Sequence, residues 1–431
     1  MDPLMDLSHY PLDAIAQQVG TPFYLYDAAI LRERMAEVAR TADGKQLHAR
    51  YAMKANSSRY VLDAAREAGL WIDAVSGNEV ERALRAGFEG GHDPATIMYT
   101  ADVFRDNALR TVVENGILPN VGSPGMIREL HDAGYAGPIA LRVNPGFGHG
   151  HVQACDTGGP SSKHGIWLDD MPEAHEAARK AGYPVVALHA HVGTGPQIAE
   201  FDQNMRRLVD VFDALLQEFP DATSVNLGGG IPHAYRLDAE RYDLGGFRTL
   251  MLEASSTLSE SAGRPIALEI EPGRYPVAGM AILVARVTDV KDTRTNEKGP
   301  GQRFVMVDAG FNDLIRPAMY GSYHHISVVG PGVEARVPEL VNVAGPLCES
   351  GDVFTRDEDE LLLPRNLPAP QPGDLLVLHD AGAYAYAMSS NYVSMGRAPQ
   401  VAFDNGALTL ISRRETLEDV LRAETSEVLA V

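Results

Sequence analysis

Pro265-Ile-Ala-Leu-Glu-Ile-Glu-Pro-Gly-Arg-Tyr275 starts as an apolar run and ends in a charged, glycine-containing turn. Preceded by the turn signal Ala262-Gly263-Arg264, the segment Pro265–Glu271 reads as a strand, with an acid and an arginine at and just past its C-terminal end. Working outward, seven more short apolar runs lie upstream, at Ala49–Lys54, Trp71–Val75, Thr96–Thr100, Leu118–Val121, Pro138–Val143, Pro184–His191 and Ser224–Leu227. Segments with helical spacing separate them. The clearest carries Met205, Leu208, Val209, Phe212, Leu215, Leu216 and Phe219 on one stripe, and Ser76 with Glu79 forms a capping-box pattern for a helix over 78–86. Eight strands alternating with helices predict a (β/α)8 TIM-like barrel, with an open doubly wound sheet as the rival. The residues that carry chemistry decide for the barrel, because they gather where barrel enzymes keep them, at the C-terminal strand ends.

After Gly273 the pattern changes. Ala281–Val290 and Arg303–Asp308 read as a hairpin, and Leu340–Ala344, Leu375–His379 and Val401–Phe403 as further strands, with a Pro-rich loop at Pro364–Pro372. Phe23–Asp27 is a strand without a barrel partner. The expected organisation is a barrel over 28–275 and a second, all-β domain from 1–27 and 276–431.

A chain of 431 residues with 45% hydrophobic and 22% charged residues is long enough for two cores and has a globular balance. With 37 Lys+Arg against 58 Asp+Glu the net charge is -21, which repels a phosphate backbone and argues against nucleic acid. Two distant cysteines, Cys155 and Cys348, give neither a disulfide framework nor a zinc spacing and fit a reducing cytosol. No stretch reaches the ~18–20 apolar residues of a membrane span, and residues 1–10 do not read as a signal peptide. The expectation is a cytoplasmic protein acting on a small molecule.

Lys54, in Tyr51-Ala-Met-Lys-Ala-Asn56, ends the first barrel strand, where an amine can form a Schiff base; alone, it is more often a surface lysine. His189 and His191, two apart, point to one face of a strand. A metal pair, a ring stacked on a flat cofactor and core histidines all remain open, the metal weakest because no third ligand stands at a suitable spacing. Gly228-Gly-Gly230 lets backbone N–H groups approach a phosphate. Glu271 can face a pyridine nitrogen and keep it protonated, and Gly273 and Arg274 can complete a phosphate site.

Longer strings add a resemblance: Tyr51-Ala-Met-Lys-Ala-Asn, His189-Ala-His-Val-Gly, Gly228-Gly-Gly, Glu271-Pro-Gly-Arg, Asp308-Ala-Gly-Phe-Asn-Asp-Leu-Ile-Arg-Pro-Ala-Met-Tyr320, Gly345-Pro-Leu-Cys-Glu-Ser-Gly-Asp352 and Gly382-Ala-Tyr384. The chain resembles the alanine-racemase-like fold that binds pyridoxal 5'-phosphate (PLP), and within it the diaminopimelate decarboxylases over nearly its whole length. The resemblance implies that Lys54 holds PLP and that His191 stacks on its ring. Asp73, Gly229, Gly230, Glu271, Gly273, Arg274 and Tyr384 would complete the cofactor set. Arg274, Arg316 and Tyr320 would hold the substrate's distal carboxylate, with Tyr384 also touching substrate. Cys348, as proton donor, and Glu349, reading the distal ammonium, would come from the partner of a homodimer with a shared active site; no metal is implied. The implied activity is decarboxylation of meso-2,6-diaminopimelate to L-lysine, the last step of lysine biosynthesis. Decarboxylases of D-lysine or D-ornithine and a non-catalytic regulatory paralogue are the alternatives, and Arg316 with Arg274 argues against mono-carboxylate substrates. Two departures stand out: Thr194 where the family often has Ser, and Val393-Ser-Met-Gly-Arg397 in place of a usual Asn-Ser-Arg. Residues 146–170 form a long Gly-rich loop.

Overall fold

The computed structural model describes residues 4–42, 44–148, 157–193 and 198–427; Thr194 and part of the 146–170 loop lie outside them. The chain divides into two compact units. One comprises Leu31–His233 and Arg241–Val277. The other comprises Met1–Ile30, Ala234–Glu240 and Ala278–Val431. The first strand, β1 (Phe23–Asp27), belongs to the second of these.

The first unit is a closed barrel. Its strands are β2 (Leu47–Ala52), β3 (Trp71–Ala74), β4 (Ile97–Ala101), β5 (Leu118–Val121) and β6 (Ile139–Asn144), then, after a two-strand-residue offshoot β7 (Ile166–Trp167), β8 (Val185–His189), β9 (Ser224–Asn226) and β10 (Ala267–Ile270). All pair in parallel, in the order β5-β4-β3-β2-β10-β9-β8-β6, and β5 pairs with β6 to close the ring. An open sheet is thereby excluded. β7 lies within the segment expected as loop and pairs with the end of β6. The helix with the apolar stripe spans Ile198–Leu215 and buries Phe201, Met205, Leu208, Phe212 and Leu215. Inside the barrel, Met98, Leu118, Ala140 and Ala187 form an apolar layer. Beside it sits a buried ion pair: Arg50 Nε lies 2.6 Å from Glu269 Oε2, and the guanidinium carbon 4.8 Å from the Trp71 ring centroid.

Several barrel strands stop one or two residues earlier than the sequence suggests, and the stops of β2 and β8 move site residues. β2 ends at Ala52, whose N–H donates to the Pro272 carbonyl, so Lys54 lies in the 3-10 turn Met53–Ala55 rather than on the strand. β8 ends at His189 because its neighbour β9 ends at Asn226, before Gly228 turns away at φ +71°. His191 therefore sits in the following loop, and the two-residue argument for a shared face of His189 and His191 does not apply.

In the second unit β11 (Ala281–Asp292) and β12 (Arg303–Val307) form the expected hairpin, followed by β13 (Ile326–Val329), β14 (Pro338–Ala344), β15 (Arg365–Pro368), β16 (Leu375–Leu378), β17 (Gln400–Asp404) and β18 (Ala407–Ser412). The sheet runs β15-β14-β12-β11-β1-β17-β18, with β16 also on β11 and β13 on β16. β1 enters antiparallel to β11 and parallel to β17, so the sheet is mixed. The unit is not purely β: Leu12–Val19 is helical and buries Leu12 and Ile15, with Phe23, Leu25, Ile282, Val284, Leu375 and Val377 in the same core. The Pro-rich loop contains β15, paired with β14.

Candidate active site

The barrel's functional side chains sit at or just past the C-terminal ends of its strands, with Asp73 inside β3 and His189 the last residue of β8. Glu271, one residue past β10, is buried at 4% exposure. Its carboxylate accepts from Asn226 Nδ2 at 2.8 Å and lies 3.2 Å from His189 Nε2. A carboxylate only accepts, so His189 carries its proton on Nε2; its buried Nδ1 has no hydrogen-bond partner. Burial pushes the Glu271 carboxyl up, but the charges of His189 and Lys54 and the His189 hydrogen bond outweigh it and hold it well below the usual range. The same Asn226 also receives the Gly228 N–H on its Oδ1 at 2.8 Å, so one side chain couples the glycine turn to the acid.

The glycines fit against backbone. A Cβ on Gly229 would stand 2.3 Å from the Glu271 carbonyl oxygen, and one on Gly230, at φ +111°, 2.8 Å from the Gly193 carbonyl oxygen. A side chain at Gly229 forces the loop after β9 away from the segment after β10, and one at Gly230 forces it away from the loop after β8.

The Lys54 side chain is 39% exposed, and its Nζ lies 3.8 Å from Asp73 Oδ2 in β3, whose side chain is fully buried. Burial, reinforced by the charge of Glu271, raises Asp73 to about 6, while Lys54 pulls the other way. Behind them, burial lifts Glu79 to about 7. Ser76 caps the helix Gly77–Arg85 through the Glu79 N–H, as the capping-box pattern predicts, but the Glu79 carboxylate reaches back to the Val75 N–H at 2.8 Å. His191 is driven well below the ordinary histidine range by burial and by Lys54 and Arg142, which leaves a neutral ring. Thr157 Oγ1 donates to the His191 carbonyl at 2.7 Å, and Asn144 binds Gly146 and Gly159, tying down both described arms of the glycine-rich loop. Gly273 and Arg274 follow Glu271, with Arg274 9% exposed.

The barrel unit thus holds Lys54, Asp73, His191, Gly229, Gly230, Glu271, Gly273 and Arg274 at its strand ends. Arg316, Tyr320, Cys348, Glu349 and Tyr384 belong to the other unit. Arg316 and Tyr320 begin and end the short helix Arg316–Tyr320, with Arg316 3% exposed. Cys348 and Glu349 are exposed on a loop pinned by buried Asp352, whose carboxylate accepts from Leu347 N–H at 2.8 Å and Phe311 N–H at 2.7 Å. Tyr384 is held at φ +57°, a region that non-glycine residues rarely occupy. In the departing stretch Val393 and Ser394 also have positive φ, +49° and +59°, while Asn391 Nδ2 bonds Glu415 Oε2 at 2.6 Å.

Sequence reasoning assigned no role to Asn226, Asp352 or Arg142, the last buried at the end of β6. Their signal is a polar residue inside or beside an otherwise apolar run; their partners are too distant in sequence to be read from it.

The residues present fit PLP: a close-packed glycine turn for a phosphate, an ionised buried acid for a pyridinium, a neutral imidazole for a ring face and an accessible amine. The pyridoxal-binding domain of pyridoxal-dependent decarboxylases matches residues 29–278. Diaminopimelate decarboxylase of Escherichia coli strain K12 is 41% identical over 423 residues, 97% of each chain. A crystal structure of a diaminopimelate decarboxylase aligns with TM-score 0.86 and 42% identity over 95% of both chains. That of the Helicobacter pylori enzyme complexed with L-lysine aligns with TM-score 0.83 and 27% identity over 95% of this chain and 98% of that one. With the barrel closed, the glycine turn and acid in place and the likeness running end to end, this chain belongs to the PLP-dependent diaminopimelate decarboxylase family.

Proposed function

We propose that the protein decarboxylates meso-2,6-diaminopimelate to L-lysine and CO2, the last step of lysine biosynthesis, in the cytoplasm. The observation that carries the reaction type is Glu271, kept ionised in a buried setting beside an accessible Lys54. The substrate follows from the relatives' activity and from buried Arg316 in a chain of that family. PLP supplies an electron sink for the charge left when CO2 departs. Lys54 would anchor it, the turn Gly228–Gly230 with Gly273 and Arg274 would hold its phosphate, His191 would lie against its ring, and Glu271 would favour a protonated ring nitrogen. Asp73 pairs with the Lys54 ammonium whenever Lys54 is not joined to the cofactor.

Arg316, Tyr320 and Arg274 receive the distal carboxylate, Glu349 the distal ammonium, and Tyr384 contacts substrate and cofactor. Cys348 Sγ delivers the proton to the carbon that loses CO2. Exposed Cys348 and Glu349, on a loop that the Asp352 carboxylate holds in shape, suit donation to a second copy of the chain, so the working unit is a homodimer with the barrel 28–275 as cofactor domain.

CO2 release is measured with meso-diaminopimelate, D-lysine, D-ornithine and L-ornithine, beside a Lys54→Ala control. Release from diaminopimelate alone, absent in the control, is the expected result. Turnover of a mono-carboxylate substrate in its place refutes the substrate and turns attention to Val393–Arg397.

A further inference from the structure

Arg316 is buried, and its orientation is set by groups from its own fold-back. After the helix Arg316–Tyr320, Gly321 turns the chain at φ +59°, where a Cβ would stand 2.2 Å from Glu358 N. The chain then returns past the guanidinium. Ser322 Oγ accepts from Arg316 Nη2 at 3.2 Å, and His324 Nε2 lies 2.9 Å from Nη1. The Tyr235 ring centroid is 4.9 Å from the guanidinium carbon and 5.4 Å from the His324 ring, edge-on to the latter.

The protonation of His324 follows from its two neighbours. A guanidinium has only N–H donors, so Nε2 must present a lone pair. On the other side, Nδ1 is 2.8 Å from the His379 carbonyl oxygen, which only accepts, so Nδ1 carries the proton. His324 is 2% exposed, and both ring nitrogens are used. The result is a directed chain, Arg316 N–H to His324 Nε2 and His324 Nδ1–H to the His379 carbonyl. The carbonyl next to β16 thereby fixes the tautomer, and the tautomer fixes one edge of the guanidinium.

We infer that His324 is a positioning residue for specificity: through Arg316 it orients the guanidinium fork that receives the substrate's second carboxylate. This rests on the role given to Arg316 above. A planar fork discriminates only if its plane is fixed, since bidentate recognition fails when the fork is free to rotate. Ser322 and Tyr235 assist at the other edge and on the ring face; His324 supplies the acceptor that cannot be replaced by a rotating hydroxyl.

The test uses the PLP-loaded enzyme and two ligands that share the diamine skeleton. L-lysine keeps the second carboxylate, and 1,5-diaminopentane lacks it. His324→Phe keeps a ring and removes the acceptor, whereas His324→Gln places an amide oxygen near the Nε2 position. The Phe variant is expected to weaken L-lysine binding and raise KM for diaminopimelate on the order of 10- to 100-fold, the range of one charge-assisted hydrogen bond. Diaminopentane binding stays within about threefold and kcat changes far less than KM; the Gln variant recovers most of the loss. Equal weakening of both ligands, unchanged L-lysine binding or a Gln variant as impaired as Phe overturns the inference. Arg316→Ala separates it from the reading beneath it. If that variant weakens L-lysine no more than diaminopentane, the role of Arg316 falls; if it weakens L-lysine selectively and His324→Phe does not, only the role of His324 falls.

Discussion

Glu79→Gln in the apoprotein should make stability less sensitive to pH. Burial is the main cause that lifts the Glu79 carboxyl from 4.5 to about 7; the Val75 N–H bond opposes it and the charge of Asp73 adds to it. The folded carboxyl then holds its proton up to about pH 7, while the unfolded one releases it near 4.5. Its stabilising contribution is complete below pH 4.5 and is lost as pH rises to 7, because the folded state binds more protons in that window. A rise from 4.5 to about 7 corresponds to roughly 3 kcal/mol at ~1.4 kcal/mol per unit. Gln keeps an acceptor for the Val75 N–H but adds an amide donor that needs a partner, which costs about 1 kcal/mol at every pH. The variant is therefore expected to be slightly less stable than wild type at pH 4.5 and about 2 kcal/mol more stable at pH 8. For a unit of this size that is an increase in Tm of about 4–8 °C. Parallel thermal melts across pH 4.5–8.5 measure the difference directly. A wild-type-minus-variant difference that is flat with pH, or that grows in favour of wild type as pH rises, refutes the buried-acid argument.

Gly229→Ala drives a Cβ to 2.3 Å from the Glu271 carbonyl oxygen, so PLP affinity, titrated by cofactor absorbance, is expected to fall on the order of 10- to 100-fold with the fold intact by circular dichroism. Wild-type affinity would place the phosphate elsewhere. Lys54→Ala and Cys348→Ala should each be inactive, yet recover activity when unfolded and refolded together. Random pairing makes half the dimers mixed, each with one intact site, so recovery of about a quarter of wild-type activity is expected. No recovery shows that both residues serve one chain's own site.

The barrel was legible because its strands and helices obey different periods and its turns are marked by glycine. Strand ends were less so: β2 and β8 stop where the neighbouring strands β10 and β9 give way to loops, and that information lies tens to hundreds of residues away. β15 was hidden by Pro364 and Pro368, which weaken any strand signal; it survives at the edge of its sheet, where a missing N–H is tolerated. For the candidate site, Lys54, the glycine triplet and Glu271 announce themselves by residue type at strand ends. Asn226 does not, because its value lies in Glu271, 45 residues on. Asp352 and His324 act through loops whose closure no local pattern encodes.

Pairing Tyr24 with Gln400 has a consequence for synthesis. About 380 residues separate these partners, and at 5–20 residues per second the ribosome needs roughly 20 to 75 s to deliver the second after the first. During that interval the complete barrel sequence emerges, while β1, all five of whose residues are buried in the finished protein, lacks both neighbours until β11 is made and one of them until β17 follows. Nascent chains of this protein therefore carry an apolar, unpaired strand near the N-terminus for most of their production, and yield in a cell depends on how well that strand is shielded until the C-terminus arrives.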